Sequence, residues 1–190
     1  MPNRTPRPRM TVGRAAVVAL MNRYLVPGYE YPLSLLEVQK LAYFLQVAGQ
    51  PLRLQYGPHI YGPYADGLRH VLNHIEGHLT EGYGDGRNAP DTPIRLLPGA
   101  AEEAEGFLRN DAATQDRLQR VAQLIEGFET PFGMELLATV HWVMTHESAA
   151  LQQVDAVIHS VRSWSSRKAA SMKPAQIHAA YDCLRTQGWA

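Results

Sequence analysis

Apolar residues recur every three to four positions along most of the chain, and proline and glycine divide the stretches. Thr11 offers a hydroxyl cap, and Val12, Ala15, Ala16, Ala19, Leu20 and Tyr24 follow at helical spacing until Pro27-Gly28. Ser34, with Glu37 three residues on, predicts a capping box. The helix behind it carries Leu36, Val38, Leu41, Phe44, Leu45 and Ala48 and stops at Gly49. Asp66 opens a third helix through Leu68, Val71, Leu72 and Ile75 to about His78. Ala100–Leu108 is short and acidic, and Asp111 or Thr114 caps a helix over 115–128. Thr130-Pro131 starts one that runs to about Thr145, since proline at the first helical position gives up no needed N–H. Ser148 opens another over 149–163, and Lys173-Pro174 precedes the last, over 175–187. Strand patterns are few. A short strand fits 52–56, followed by an ordered tyrosine-rich loop, and 80–86 with 93–97 reads as a hairpin turning at Asp85-Gly86. The fold class is mainly α: a single compact multi-helix domain with a small β-hairpin or short sheet.

Composition narrows the function. The chain has 190 residues, 45% of them apolar, so it can bury a core. Its 18 basic and 18 acidic residues cancel, which argues against a generic nucleic-acid binder. The charge is uneven: residues 1–14 carry +4, 15–160 carry −8 and 161–190 carry +4. An acidic body attracts a basic partner and repels nucleic acid. Residues 1–10, rich in proline and arginine, read as a flexible basic arm and a linker remnant. The single cysteine, Cys183, excludes an internal disulfide framework. No signal peptide and no apolar run long enough to span a membrane is present, so a cytoplasmic protein without membrane contact is expected.

Few constellations suggest chemistry. His70, His74 and His78 fall on one helical stripe, but no HExxH pattern accompanies them and no metal or cofactor is expected. No GxSxG or phosphate-loop motif occurs, so no catalytic residue is assigned. GYGDG at 82–86 reads as a hairpin turn and Cys183 as a packing residue. The acidic residues Glu102, Glu103, Glu105, Asp111 and Asp116 form the densest carboxylate stretch, either helix-start charges or an imitation of strand phosphates. In the loop 56–64, Tyr56, His59 and Tyr61 on a proline-stiffened backbone form a candidate recognition surface.

The segments LLEVQKLAYFLQVAG (35–49), LRLQYGPHIYGPYADGLRHVL (52–72), GYGDG and RVAQLIEGFETPFGMELLATVHWV (120–143) resemble the C-terminal domain of the DarG antitoxins, within the SocA-like (Panacea) antitoxin set. The resemblance covers about 11–165, and Lys40, Tyr43, Phe44, Gly62, Pro63 and Tyr64 are its motif positions, expected to hold the fold. It implies an antitoxin domain over 11–190 that performs no catalysis. Such a domain binds a DarT-like DNA ADP-ribosyltransferase 1:1 and occludes its single-stranded DNA cleft by acidic mimicry. It further implies an upstream macro domain in the full-length protein, one that removes ADP-ribose from DNA, and no direct nucleic-acid contact by the present chain. The alternative within the same set is a SocA-like adaptor that delivers a toxin to an AAA+ protease. A metal-dependent hydrolase on the histidine stripe and a winged-helix DNA binder are the readings from other classes.

Overall fold

The computed structural model describes residues 6–25, 31–84, 89–147 and 153–190. Pro27-Gly28, the Asp85-Gly86 turn and the Ser148 cap lie outside them. The protein is mainly helical with two small antiparallel sheets. Contacts divide the chain into one unit of Met1–Tyr56 with Ala65–Gln123 and another of Gly57–Tyr64 with Leu124–Ala190.

In the first unit, α1 (Val12–Tyr24) starts where Thr11 Oγ1 accepts from the Arg14 amide. It packs against α4 (Ala100–Leu108) and α2 (Leu35–Val47). α2 is buried along most of its length, its capping-box residue Glu37 included. The buried Glu37 carboxylate accepts from the Ser34 amide and hydroxyl at 2.7 Å each and from the Tyr24 hydroxyl at 2.6 Å. One group thus starts α2 and ties it to the last residue of α1. β1 (Leu33–Ser34) and β4 (Thr80–Glu81) flank β5 (Pro93–Leu96) in register Leu33↔Ile94 and Thr80↔Leu96. The hairpin predicted from 80–97 is therefore present, and β1 adds a third strand that the pattern did not predict. Two residues are too short to show alternation.

Three other elements differ from expectation. α3 (Gly67–Ile75) ends with Ile75, capped at Glu76, rather than running to His78, because Gly77 takes a positive φ of 72° and returns the chain toward β4. Asp111, not Thr114, caps α5, which starts three residues early, at Ala112 (Ala112–Ile125). No strand forms over 52–56. The Leu54 amide and carbonyl are both taken by the Gln46 side chain, at 2.7 and 2.9 Å, so no ladder partner is needed there. Gln39, one heptad earlier on α2, grips Ala65 in the same way at 3.2 and 3.0 Å.

In the second unit the two Gly-Pro steps, read as loop, pair with each other. β2 (Gly57–His59) and β3 (Gly62–Tyr64) register Pro58 opposite Pro63. A two-stranded ribbon tolerates this because both strands are edges and the missing N–H groups face outward. β3 lies on α6 (Pro131–His146), which packs with α7 (Val154–Ser163) and α9 (Pro174–Thr186). Between them sits α8 (Ser166–Ser171), a hexapeptide helix absent from the sequence prediction. No helix among the described residues is long and apolar enough to cross a membrane.

His141 on α6 faces the chain end, its Nε2 donating to the carbonyl of the buried Trp189 at 3.1 Å. Burial drives its pKa down to about 4, against the opposing pull of the Trp189 carbonyl. The unfolded chain therefore takes up a proton near pH 6.5 that the folded chain resists until about pH 4. Stability present at neutral pH is lost as the pH falls through this window, by about 3 kcal/mol. Urea denaturation of His141→Gln between pH 7 and pH 4 is expected to show a clearly flatter pH dependence than wild type.

Candidate functional site

α6 presents Glu135 and Thr139 one turn apart on a buried face. α8 brings Arg167 and Lys168 to meet them. Ser165 caps α8 by accepting from the Lys168 amide at 3.1 Å, which fixes the start of so short a helix. Lys168 is completely buried, and its Nζ donates to Glu135 Oε1 at 2.5 Å and to Thr139 Oγ1 at 3.3 Å. Arg167 Nη2 donates to the same carboxylate oxygen from the half-exposed side. Burial lowers the Lys168 pKa, while the Glu135 charge and hydrogen bond push it back up and Arg167 lowers it again.

The β2–β3 ribbon covers this pair closely. Gly62 has φ 84°, and a Cβ there would fall 2.6 Å from Thr139 Oγ1, so only glycine fits. Around the polar centre stands an aromatic rim. The Arg167 guanidinium lies 4.7 Å over the Tyr61 ring, and the Lys168 ammonium lies 5.4 Å from the Trp164 ring. Trp164 Nε1 donates to the His59 carbonyl at 3.0 Å, and the His59 ring rests 5.0 Å from that of Tyr64. His59 and Ile60 are exposed at the ribbon tip.

The structure separates the predicted site residues. His59 and Tyr61 belong to this rim. Tyr56 does not: its ring packs edge-on to Tyr43 at 5.1 Å, and burial raises its pKa well above the usual phenol value. The carboxylates of the acidic stretch have separate surroundings, and Glu102, Glu103 and Asp116 are exposed. Glu103 pairs with Arg7. Glu105 takes two hydrogen bonds from Arg23 at 3.2 Å. Asp111 caps α5, and the Thr114 amide and hydroxyl lower its pKa. Of the motif positions, Lys40, Tyr43, Phe44, Gly62 and Pro63 are buried and Tyr64 is half-buried. His78 lies beyond the end of α3, so the three imidazoles do not share one helical stripe. Among the described residues no three His, Cys, Asp or Glu are placed to hold a metal. Glu135, Arg167 and Lys168 were missed by sequence reasoning. The only available signal was a charged residue at a core position of an apolar helix, Glu135 between Met134 and Leu136.

No protein-family profile matches the chain. Three curated proteins do, and all are named DNA ADP-ribosyl glycohydrolase. The Thermus aquaticus protein is 42% identical over 182 residues, which is 96% of this chain and 49% of its own length. The Mycobacterium bovis and Mycobacterium tuberculosis proteins are each 42% identical over 173 residues, 84% of this chain and 48% of theirs. The chain spans about half the length of the curated relatives it matches.

These names correct the functional expectation. They are the names of hydrolases acting on DNA, not of SocA-like antitoxin domains, and they overturn the DarG-type antitoxin assignment. The same finding overturns toxin neutralisation by acidic mimicry and the protease-adaptor alternative. It also replaces the non-enzyme assignment and the expectation of a toxin-only partner without nucleic acid.

The ion pair has a direct test. Glu135→Gln leaves a buried ammonium without its counter-charge, and chemical denaturation should show a loss of about 3–5 kcal/mol. Replacing both partners, Glu135→Leu with Lys168→Met, should recover most of that loss.

Proposed function

We propose that this chain is the helical half of a DNA ADP-ribosyl glycohydrolase, a cytoplasmic protein that takes part in removing ADP-ribose from DNA. The observation that carries the reading is the 42% identity to the Thermus aquaticus protein over 96% of the chain. The rim of the second unit supports it. A tyrosine ring beside a half-exposed guanidinium, with a tryptophan and an exposed histidine around it, is chemistry suited to a nucleobase and its phosphate. Residues 161–190, which supply Trp164 and Arg167, carry +4 in a chain of zero net charge. In this reading His59 and Tyr61 contact the strand, and Glu135 holds Arg167 in place.

The test uses a single-stranded oligonucleotide bearing ADP-ribose and measures free ADP-ribose with time. The chain is assayed alone and joined to the remaining half of the Thermus aquaticus relative. Release by the chain alone puts the reacting groups within these 190 residues. Release by the joined protein only puts them in the other half. No release from either defeats the proposal. In whichever form is active, Tyr61→Ala should reduce turnover at limiting DNA about tenfold, the effect of losing one stacked base.

A further inference from the structure

The first unit holds a cleft of about 470 Å³ lined by the start of α1, the segment 50–54 and α3. This volume falls in the range that accommodates a nucleotide-sized ligand. Its walls are aliphatic, with Val17, Leu52, Leu68 and Val71. The guanidinium-bearing residues Arg14 and Arg53 belong to the same lining, and no Asp or Glu does. Among the described residues neither arginine forms an ion pair with a carboxylate. Arg14 Nη1 donates to the backbone carbonyl of Arg9 at 2.5 Å.

The segment carrying Arg53 is fixed. The Gln46 amide holds Leu54 on both its N–H and its carbonyl, and the Leu52 amide donates to the Gln50 carbonyl at 2.8 Å. Between these ties Arg53 takes φ 58°, a left-handed conformation unusual for a residue other than glycine. Such a conformation is strained and persists only where the surroundings impose it.

We infer that this cleft binds a nucleoside phosphate, with the base against the aliphatic walls and the phosphate on Arg14 and Arg53. Planar guanidinium groups match phosphate oxygens through paired N–H donors, and two of them suit a group with two or more negative charges. A fatty acid offers one carboxylate and leaves one guanidinium unmatched. The inference rests on the cleft and does not depend on the glycohydrolase reading. The nucleotide can be free or part of a strand, and the probes distinguish the two.

Isothermal titration of the full chain at low salt with AMP, ADP-ribose and single-stranded decathymidylate tests it, with lauric acid as the competing class. At least one nucleotide probe should bind, and Arg53→Ala should weaken it about tenfold. Arg53 is exposed, so its removal leaves the core intact. Val71→Trp fills the cleft and should abolish binding in a protein with unchanged circular dichroism. Tighter binding of AMP or ADP-ribose than of the oligonucleotide identifies a free nucleotide, and the reverse order identifies a strand. The inference is overturned if no nucleotide probe binds at millimolar concentration, if Arg53→Ala binds as wild type, or if lauric acid outcompetes all three. The measurement reads no turnover, so it fails or succeeds separately from the release assay.

Discussion

A carboxylate and an ammonium meet at the centre of the second unit with almost no access to water. Taking each out of solvent costs several kcal/mol, and their attraction offsets this only when the geometry is good and other donors and acceptors are satisfied. Lys168 meets that condition through Glu135 and Thr139, and Glu135 through Lys168 and Arg167. The surrounding parts follow from it. α8 must exist to carry two adjacent cations to one oxygen. Thr139 must sit one turn beyond Glu135. Gly62 must lack a side chain so that β3 can close over the threonine. The aromatic rim is held indirectly by the same pair, since Arg167 and Lys168 set where Tyr61 and Trp164 find their cations.

The two candidate surfaces belong to different units and differ in kind. The rim of the second unit is rigid, aromatic and partly charged, with its polar centre already saturated. The cleft of the first unit is aliphatic, with arginines that have no carboxylate partner among the described residues. A saturated centre can position a neighbouring group but has little capacity left for chemistry of its own. An uncompensated guanidinium, by contrast, gains most from an arriving anion. This contrast is why the rim is assigned a positioning role for Glu135 and the cleft a ligand.

Most helices were legible in the sequence because their signals are local. Thr11, Ser34 and Thr130 cap through hydroxyls to amides three residues on, and the apolar spacing behind them spans several turns. α8 was not legible because six residues do not establish a period. The β2–β3 ribbon was hidden by its prolines, which normally argue against pairing and are tolerated here only because both strands are edges. The Glu135–Lys168 contact was missed for a different reason. Its partners lie 33 residues apart, and a pattern of polar and apolar positions places a lysine at the surface by default. The acidic stretch misled in the opposite direction. The reading as an imitation of strand phosphates treated it as one field, whereas Glu105 meets Arg23 and Asp111 caps α5 as its position before that helix predicts.

Gln39 and Gln46, a heptad apart on the most buried helix of the first unit, each use one side-chain amide to complete both hydrogen-bonding positions of a distant backbone residue. Such a contact imitates a strand neighbour without requiring a strand. Its consequence is kinetic. The stretch leading to Arg53 is already ordered before any partner arrives, so little conformational freedom remains to be surrendered on encounter. Capture at that position is then set by diffusion and orientation rather than by a slow rearrangement of the loop.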